Sequence, residues 1–248
     1  MTEIYSLAAV FGVGVVASVI GTMVGGGSLL SIPLLIFLGL PPQVAIATDR
    51  FAALGGAATA LYRFSLSNKI VWRFVPILAA TSLAGSLIGA RLLVNAESES
   101  LRFVVGLLLI ALVPFLFVKH SFGVARRDVT QQRIAIGHTL YFLVQVLAGF
   151  FHAGTGTMIY FILMAFFGVT IIEVAATQML PFIVLAVSSS IIFAAAELID
   201  YSQGFVLMAG TAVGGYLGAH IAVRKGERWV RRLFVVVVLI SASQLLFR

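Results

Sequence analysis

A chain of 248 residues with 61% hydrophobic residues, 10% charged residues and a mean hydropathy of +1.12 far exceeds the roughly half-apolar usage of soluble domains. That composition excludes a soluble globular enzyme and leaves an all-α polytopic membrane protein solvated by the lipid bilayer. The net charge of +7 and pI near 10.3 raise nucleic acid as a partner, but the basic residues sit in short loops between apolar runs, the positive-inside pattern, which excludes it.

The first apolar run, residues 4–23, follows Glu3 where a signal peptide would carry basic residues, and no small-x-small cleavage site follows. It is read as a membrane helix. Gly25-Gly26-Gly27 interrupts it, and the next run, 28–40, holds thirteen residues, about 20 Å if helical at ~1.5 Å per residue, too short to cross comfortably. After the Pro41-Pro42 turn, Ala47-Thr48-Asp49-Arg50 opens a run at 51–62, and Arg63, Lys69 and Arg73 form a basic loop. Runs at 75–93 and 103–118 follow, then a polar loop at 119–133 carrying Lys119, Arg126, Arg127 and Arg133. The run 134–151 leads through His152 to a second break at Gly154-Thr155-Gly156 and a second short run at 157–168. Glu173 stands at a helix start, where a carboxylate favours the helix dipole, and a cap-like role rather than one in transport is expected of it. The last runs are 174–196, 205–223 and 234–247, with Arg224, Lys225, Arg228, Arg231 and Arg232 between the final two. There is no cysteine, hence no disulfide framework, thiol chemistry or thiolate metal site.

The chain contains itself twice. Residues 25–102 align without a gap on 154–231, at a constant spacing of 129. Gly25 meets Gly154, Gly27 meets Gly156, Ser28 meets Thr157, Gly39 meets Gly168 and Ala47-Thr48 meets Ala176-Thr177; Gly85, Gly89 and Arg102 meet Gly214, Gly218 and Arg231. Matched loops carry opposite charge: the basic loop at 63–73 corresponds to 192–202, which holds only Glu197 and Asp200. Equivalent loops then lie on opposite sides of the membrane. The expectation is two inverted-topology repeats, 1–118 and 134–248, joined by a cytoplasmic linker at 119–133. Eight to ten transmembrane or re-entrant helices, glycine-broken near the midplane, follow from it. The amino terminus is expected outside a bacterial-type inner (plasma) membrane.

Glycine-interrupted segments at corresponding positions of two halves point to a transporter's binding site. Glycine allows left-handed backbone and close ligand approach, and free N–H groups at the following helix start attract anions. Ser28 and Thr157 either cap those helices or offer hydroxyls to an oxyanion. Glycine and serine also serve close helix packing; their duplication favours binding. Arg50, an ionisable residue in a membrane segment, is a functional candidate by default, against a bland reading in which it pairs with Asp49, a pairing that adjacent helix positions disfavour, or snorkels to an interface near the Pro41-Pro42 turn. The candidate substrate-binding set is Gly25, Gly26, Gly27, Ser28, Thr48, Arg50, Gly154, Thr155, Gly156, Thr157, Thr177 and Gln178. Asp49 and His152 are candidates for coupling. No catalytic or metal-binding set is identified, and no cofactor is expected.

The stretch Gly21-Thr22-Met23-Val24-Gly25-Gly26-Gly27-Ser28-Leu29-Leu30-Ser31-Ile32-Pro33, followed by Leu38-Gly39-Leu40-Pro41-Pro42 and Ala45-Ile46-Ala47-Thr48, resembles the TauE/SafE sulfite exporter family of membrane permeases. Length and two-half organisation agree with it. The resemblance implies transport of small sulfur-containing anions such as sulfite, sulfonates or related organosulfur acids, and it carries over to Gly25, Gly26, Gly27, Pro33, Pro42 and Thr48, and by repeat matching to Gly154, Gly156 and Thr177. The second half departs from the motif: His152-Ala153-Gly154-Thr155-Gly156 replaces the glycine run, and Gln178-Met179 stands opposite Asp49-Arg50. Alternatives are a transporter of another small anion, an accessory structural membrane protein, or an intramembrane enzyme. An enzyme would need paired carboxylates or a nucleophile with its base, and no such set is found.

The inverted arrangement predicts that single cysteines at Ser67 and Tyr201 react with an impermeant thiol reagent from opposite sides of the membrane. Labelling from the same side would remove the inversion.

Overall fold

The computed structural model describes residues 2–96 and 123–246. The expected span at 103–118, the loop beyond residue 96 and the beginning of the linker lie outside the described residues. Nine helices are described: α1 Thr2–Val24, α2 Ser28–Phe37, α3 Pro42–Ser65, α4 Val75–Val94, α5 Gln131–Phe150, α6 Thr155–Phe166, α7 Ile171–Ala195, α8 Tyr201–Lys225 and α9 Glu227–Leu246. Five of them, α1, α4, α5, α7 and α8, are long and apolar enough to cross a membrane; α2 and α6 are the short apolar helices expected after the two glycine breaks. Large apolar side chains such as Leu83, Leu92, Ile191 and Leu217 point outward and are exposed. Water would penalise that surface and lipid would not.

Helix starts follow local chemistry. Pro42 begins α3, with Pro41 at its N-cap, because a proline at the first helical position gives up no hydrogen bond and brings the right φ. Asp49 and Arg50 consequently lie two turns inside α3 rather than at its start as the apolar run at 51–62 suggested. Thr170 and Glu173 form a reciprocal capping box at the start of α7, the cap role expected of Glu173. Its carboxylate also takes Arg126 Nε at 2.7 Å, and that hydrogen bond, with the attraction of the carboxylate behind it, raises the Arg126 pKa above its ordinary value. Glu227 joins the same corner. Its two oxygens accept from Thr170 Oγ1 and the Ile172 amide, each at 2.9 Å, and Lys69 Nζ lies 3.5 Å away.

The helices interlock across the two halves of the sequence. α1 and α3 pack closely on α8, while α5 and α7 pack closely on α4, and α3 and α7 meet each other. Each of the first two pairs therefore holds the fourth helix of the other half. Along α8, Gly210, Gly214 and Gly218 let the backbone of α1 approach so closely that a Cβ would stand 2.3, 2.2 and 2.8 Å from the carbonyl oxygens of Phe11, Val15 and Val19. Small residues on one face are how membrane helices gain dispersion contact when lipid offers no hydrophobic drive.

The 129-residue spacing recurs in the backbone. The left-handed residues Gly25 and Gly154, Gly39 and Gly168, and Asn68 and Glu197 are each one spacing apart. So are two clasps between the halves. Thr48 Oγ1 accepts the Asp200 amide and Thr177 Oγ1 accepts the Val71 amide, both at 2.9 Å. The matched threonines thus hold matched backbone positions, each in the opposite half.

Candidate functional site

The Gly25 turn begins as the α1 ladder closes, with the Gly25 amide bonded to the Gly21 carbonyl. Gly25 and Gly26 then take φ of 76° and 82°, which L side chains adopt only with strain. In the second turn Gly154, at φ 85°, is the N-cap of α6. Gly27 and Gly154 occupy the N-cap positions, so Ser28 and Thr157 are not the caps considered from sequence. Thr157 donates instead to the Gly154 carbonyl at 2.6 Å, and Ser28 is a partner of the Asp49 carboxylate. The two turns touch. A Cβ built on Gly25 would lie 2.5 Å from the carbonyl carbon of Gly156, and one on Gly156 would lie 2.9 Å from the Gly25 Cα.

Beside this contact lies a cavity of about 130 Å³. Gly25, Gly26, Gly27 and Ser28 line it from the first turn, Thr155 and Gly156 from the second, and Asp49, His152 and Gln178 complete the predicted residues that reach it. Two helix beginnings, those of α2 and α6, therefore border one space, and each brings partial positive charge. The remaining predicted residues stand outside the lining. Thr48 and Thr177 are occupied by the clasps, Thr157 is turned to its own helix end, and Gly154 shapes the second turn from behind.

Arg50 is fully buried and does not line the cavity. Its Nη2 donates to the carbonyl of Ala148, while Nε and Nη1 have no protein partner. Ala148 does line the cavity, so the guanidinium stands behind the wall. Asp49 turns away from its neighbour in sequence, as adjacent helix positions do not face each other, and meets His152: Oδ2 lies 2.7 Å from Nε2, with both side chains 4% exposed. Ser28 and Ser31 also hydrogen-bond the Asp49 carboxylate. The carboxylate thus gathers three partners from two segments, α2 and the turn that precedes α6.

Sequence reading missed Thr22, Ser31, Gln145 and Tyr160, all of which line the cavity. Tyr160 donates its hydroxyl to the Thr22 carbonyl at 2.8 Å, a further link between the halves. Gln145 carried the one usable signal, an amide within the apolar run 134–151, where an unpaired polar group is costly. Among the described residues, no three His, Asp or Glu side chains cluster as metal ligands would.

Comparison with known proteins matches residues 10–245 to the family model described as sulfite exporter TauE/SafE. Among curated proteins, the chain is 26% identical over 241 residues to a "Probable membrane transporter protein" of Haemophilus influenzae, covering 97% of this chain and 94% of that one. It is 24% identical to the "Probable membrane transporter protein YfcA" of Escherichia coli K12, covering 97% and 90%, and 27% identical to the "Probable membrane transporter protein ORF9" of Sinorhizobium sp., covering 97% and 92%. No solved structure matches.

Contact between the turns makes a thermodynamic prediction with an internal control. Gly39 is also left-handed, at φ 99°, but nothing lies within 4 Å of a Cβ there. Gly39→Ala should lose only the left-handed strain of about 1–2 kcal/mol, whereas Gly25→Ala adds a collision with backbone and should lower the unfolding temperature in detergent distinctly further. Equal losses from the two substitutions would show that the turns are not held together.

Proposed function

Because the chain belongs to the sulfite exporter TauE/SafE family, we propose that it is a secondary transporter that moves small sulfur-containing anions, such as sulfite and organic sulfonates, across the membrane by alternating access. As an integral membrane protein of a transporter family it needs no catalytic group to do so. The proposal takes 1–118 and 134–248 as inverted-topology repeats about a cytoplasmic linker at 119–133, with the amino terminus outside an inner membrane. The charge reversal of matched loops, the repeated left-handed residues and the exchanged helix contacts support that arrangement.

One observation carries the functional reading: the two glycine turns, brought together from the two halves, border one cavity with the beginnings of α2 and α6 around it. Such a place favours an anion without a fixed cation in contact. Its size suits a small ligand, and Ser28, Thr155, His152 and Gln178 supply polar contacts. Arg50 contributes a full charge from behind Ala148. In surroundings of low dielectric a charge acts beyond hydrogen-bond range, so it attracts an anion into the cavity, and the anion offsets the cost of its burial. In this scheme Thr48 and Thr177 serve by holding the halves in register, and the Asp49–His152 pair is the group that can exchange a coupling proton.

Proteoliposomes containing the purified protein should carry labelled sulfite and sulfonates. Arg50→Gln should weaken anion affinity by about tenfold or more and Arg50→Lys by less, since lysine keeps the charge and loses the planar fork. Flux of other small anions with none of sulfite or sulfonates would move the substrate outside the sulfur acids. Undiminished affinity in a monodisperse Arg50→Gln protein would leave the helix beginnings as the attracting element.

A further inference from the structure

The cavity wall contains a hydrogen-bonded chain whose two ends are both unfinished. Gln145 Nε2 donates to Ser82 Oγ at 2.7 Å, Ser82 Oγ lies 3.0 Å from Tyr141 Oη, and Tyr141 donates to Gln178 Oε1 at 2.9 Å. All four side chains are buried, from 0% to 4% exposed. The two glutamines, from α5 and α7, are the members that reach the cavity. At one end Gln145 Oε1 has no partner, and at the other Gln178 Nε2 has none.

A chain of this kind fixes what its ends present. Ser82 accepts from Gln145, so its own proton goes to Tyr141, and the tyrosine proton goes to Gln178. Every hydroxyl proton is used within the chain. Turning both amides over reverses the direction of each bond and exchanges the two ends, but still leaves one amide oxygen and one amide NH₂ without a partner. The lining therefore asks for a ligand with an acceptor for the one and a donor for the other. His152 adds to the demand for a donor. With Nε2–H given to the Asp49 carboxylate, a neutral imidazole leaves Nδ1, which has no partner, as an acceptor.

We infer that the cavity selects small oxyanions that carry their own hydrogen-bond donor, such as a singly protonated oxyanion or a hydroxyalkyl sulfonate, over oxyanions that only accept. The inference rests on the sulfur-anion reading above and names the class within it. A sulfonate end accepts from the amide NH₂ and from the helix beginnings, while the O–H end satisfies the amide oxygen. An anion lacking the donor would leave a buried carbonyl oxygen facing its own negative charge, with the desolvation cost of that oxygen unrecovered. Sites that hydrogen-bond a substrate hydroxyl discriminate strongly against the analogue without it.

The test compares 2-hydroxyethanesulfonate with ethanesulfonate, which differ by one hydroxyl, as inhibitors of labelled sulfite flux in proteoliposomes. The hydroxylated compound should inhibit at a concentration lower by about tenfold or more. Gln145→Met, which keeps the length and removes both amide atoms, should bring the two inhibitors close to parity by weakening the hydroxylated one. Tyr141→Phe, a smaller change that cuts the chain in the middle and frees both amides to turn, should also narrow the ratio. Equal inhibition of the wild type, or an undiminished ratio in both folded variants, would overturn the inference while the sulfite flux itself leaves the transport reading standing. Folded wild-type protein that neither binds nor carries sulfite or either sulfonate would overturn both.

Discussion

Backbone contact between Gly25 and Gly156 is the constraint on which the rest of the structure depends. No side chain can be interposed, since a Cβ on either residue would enter the other's backbone, so the two breaks in the chain must be built from glycine and must meet. Their meeting brings the beginnings of α2 and α6 to one cavity and sets His152, just before the second turn, against Asp49 from α3. A site assembled this way is made chiefly of peptide dipoles and hydroxyls. Such groups are already oriented, so under the proposed function they would receive an anion without the reorganisation that water requires.

Around this contact the two halves hold each other rather than themselves. α8 is gripped by α1 and α3, α4 by α5 and α7, and the threonine clasps tie each half to a backbone position in the other. Both halves of the sequence therefore contribute walls to the cavity. Ionisable groups are placed with the same economy: Asp49 is surrounded by donors, and Arg50 takes a carbonyl of the cavity wall rather than its sequence neighbour. Charges at this depth persist only when such partners, or a ligand, offset their desolvation.

Much of this was legible in the sequence, and the remainder was illegible for physical reasons. The glycine turns could be read because a left-handed residue in an apolar run almost demands glycine, and the repeat marked both. Glu173 could be read as a cap because capping is local. The threonines were visible as a matched pair, but their hydroxyls go to amides 152 and 106 residues away, a destination set by tertiary packing alone. Arg50 was visible as a buried charge, yet its partner is a backbone carbonyl, which any residue type supplies. Gln145 was overlooked although an amide in a membrane run is a signal in its own right, and Ser82 and Tyr141 acquire meaning only from the chain they complete.

The central claim is that an anion binds where the two glycine turns meet. Crystals of the purified protein soaked with selenite, the heavier analogue of sulfite, test it most directly, because selenium scatters anomalously and reports its own position. The account predicts an anomalous peak inside the cavity, bordered by Gly26, Ser28, Gly156 and Gln178. A peak only at the basic loops, or a cavity that stays empty while the protein transports sulfite, would contradict it.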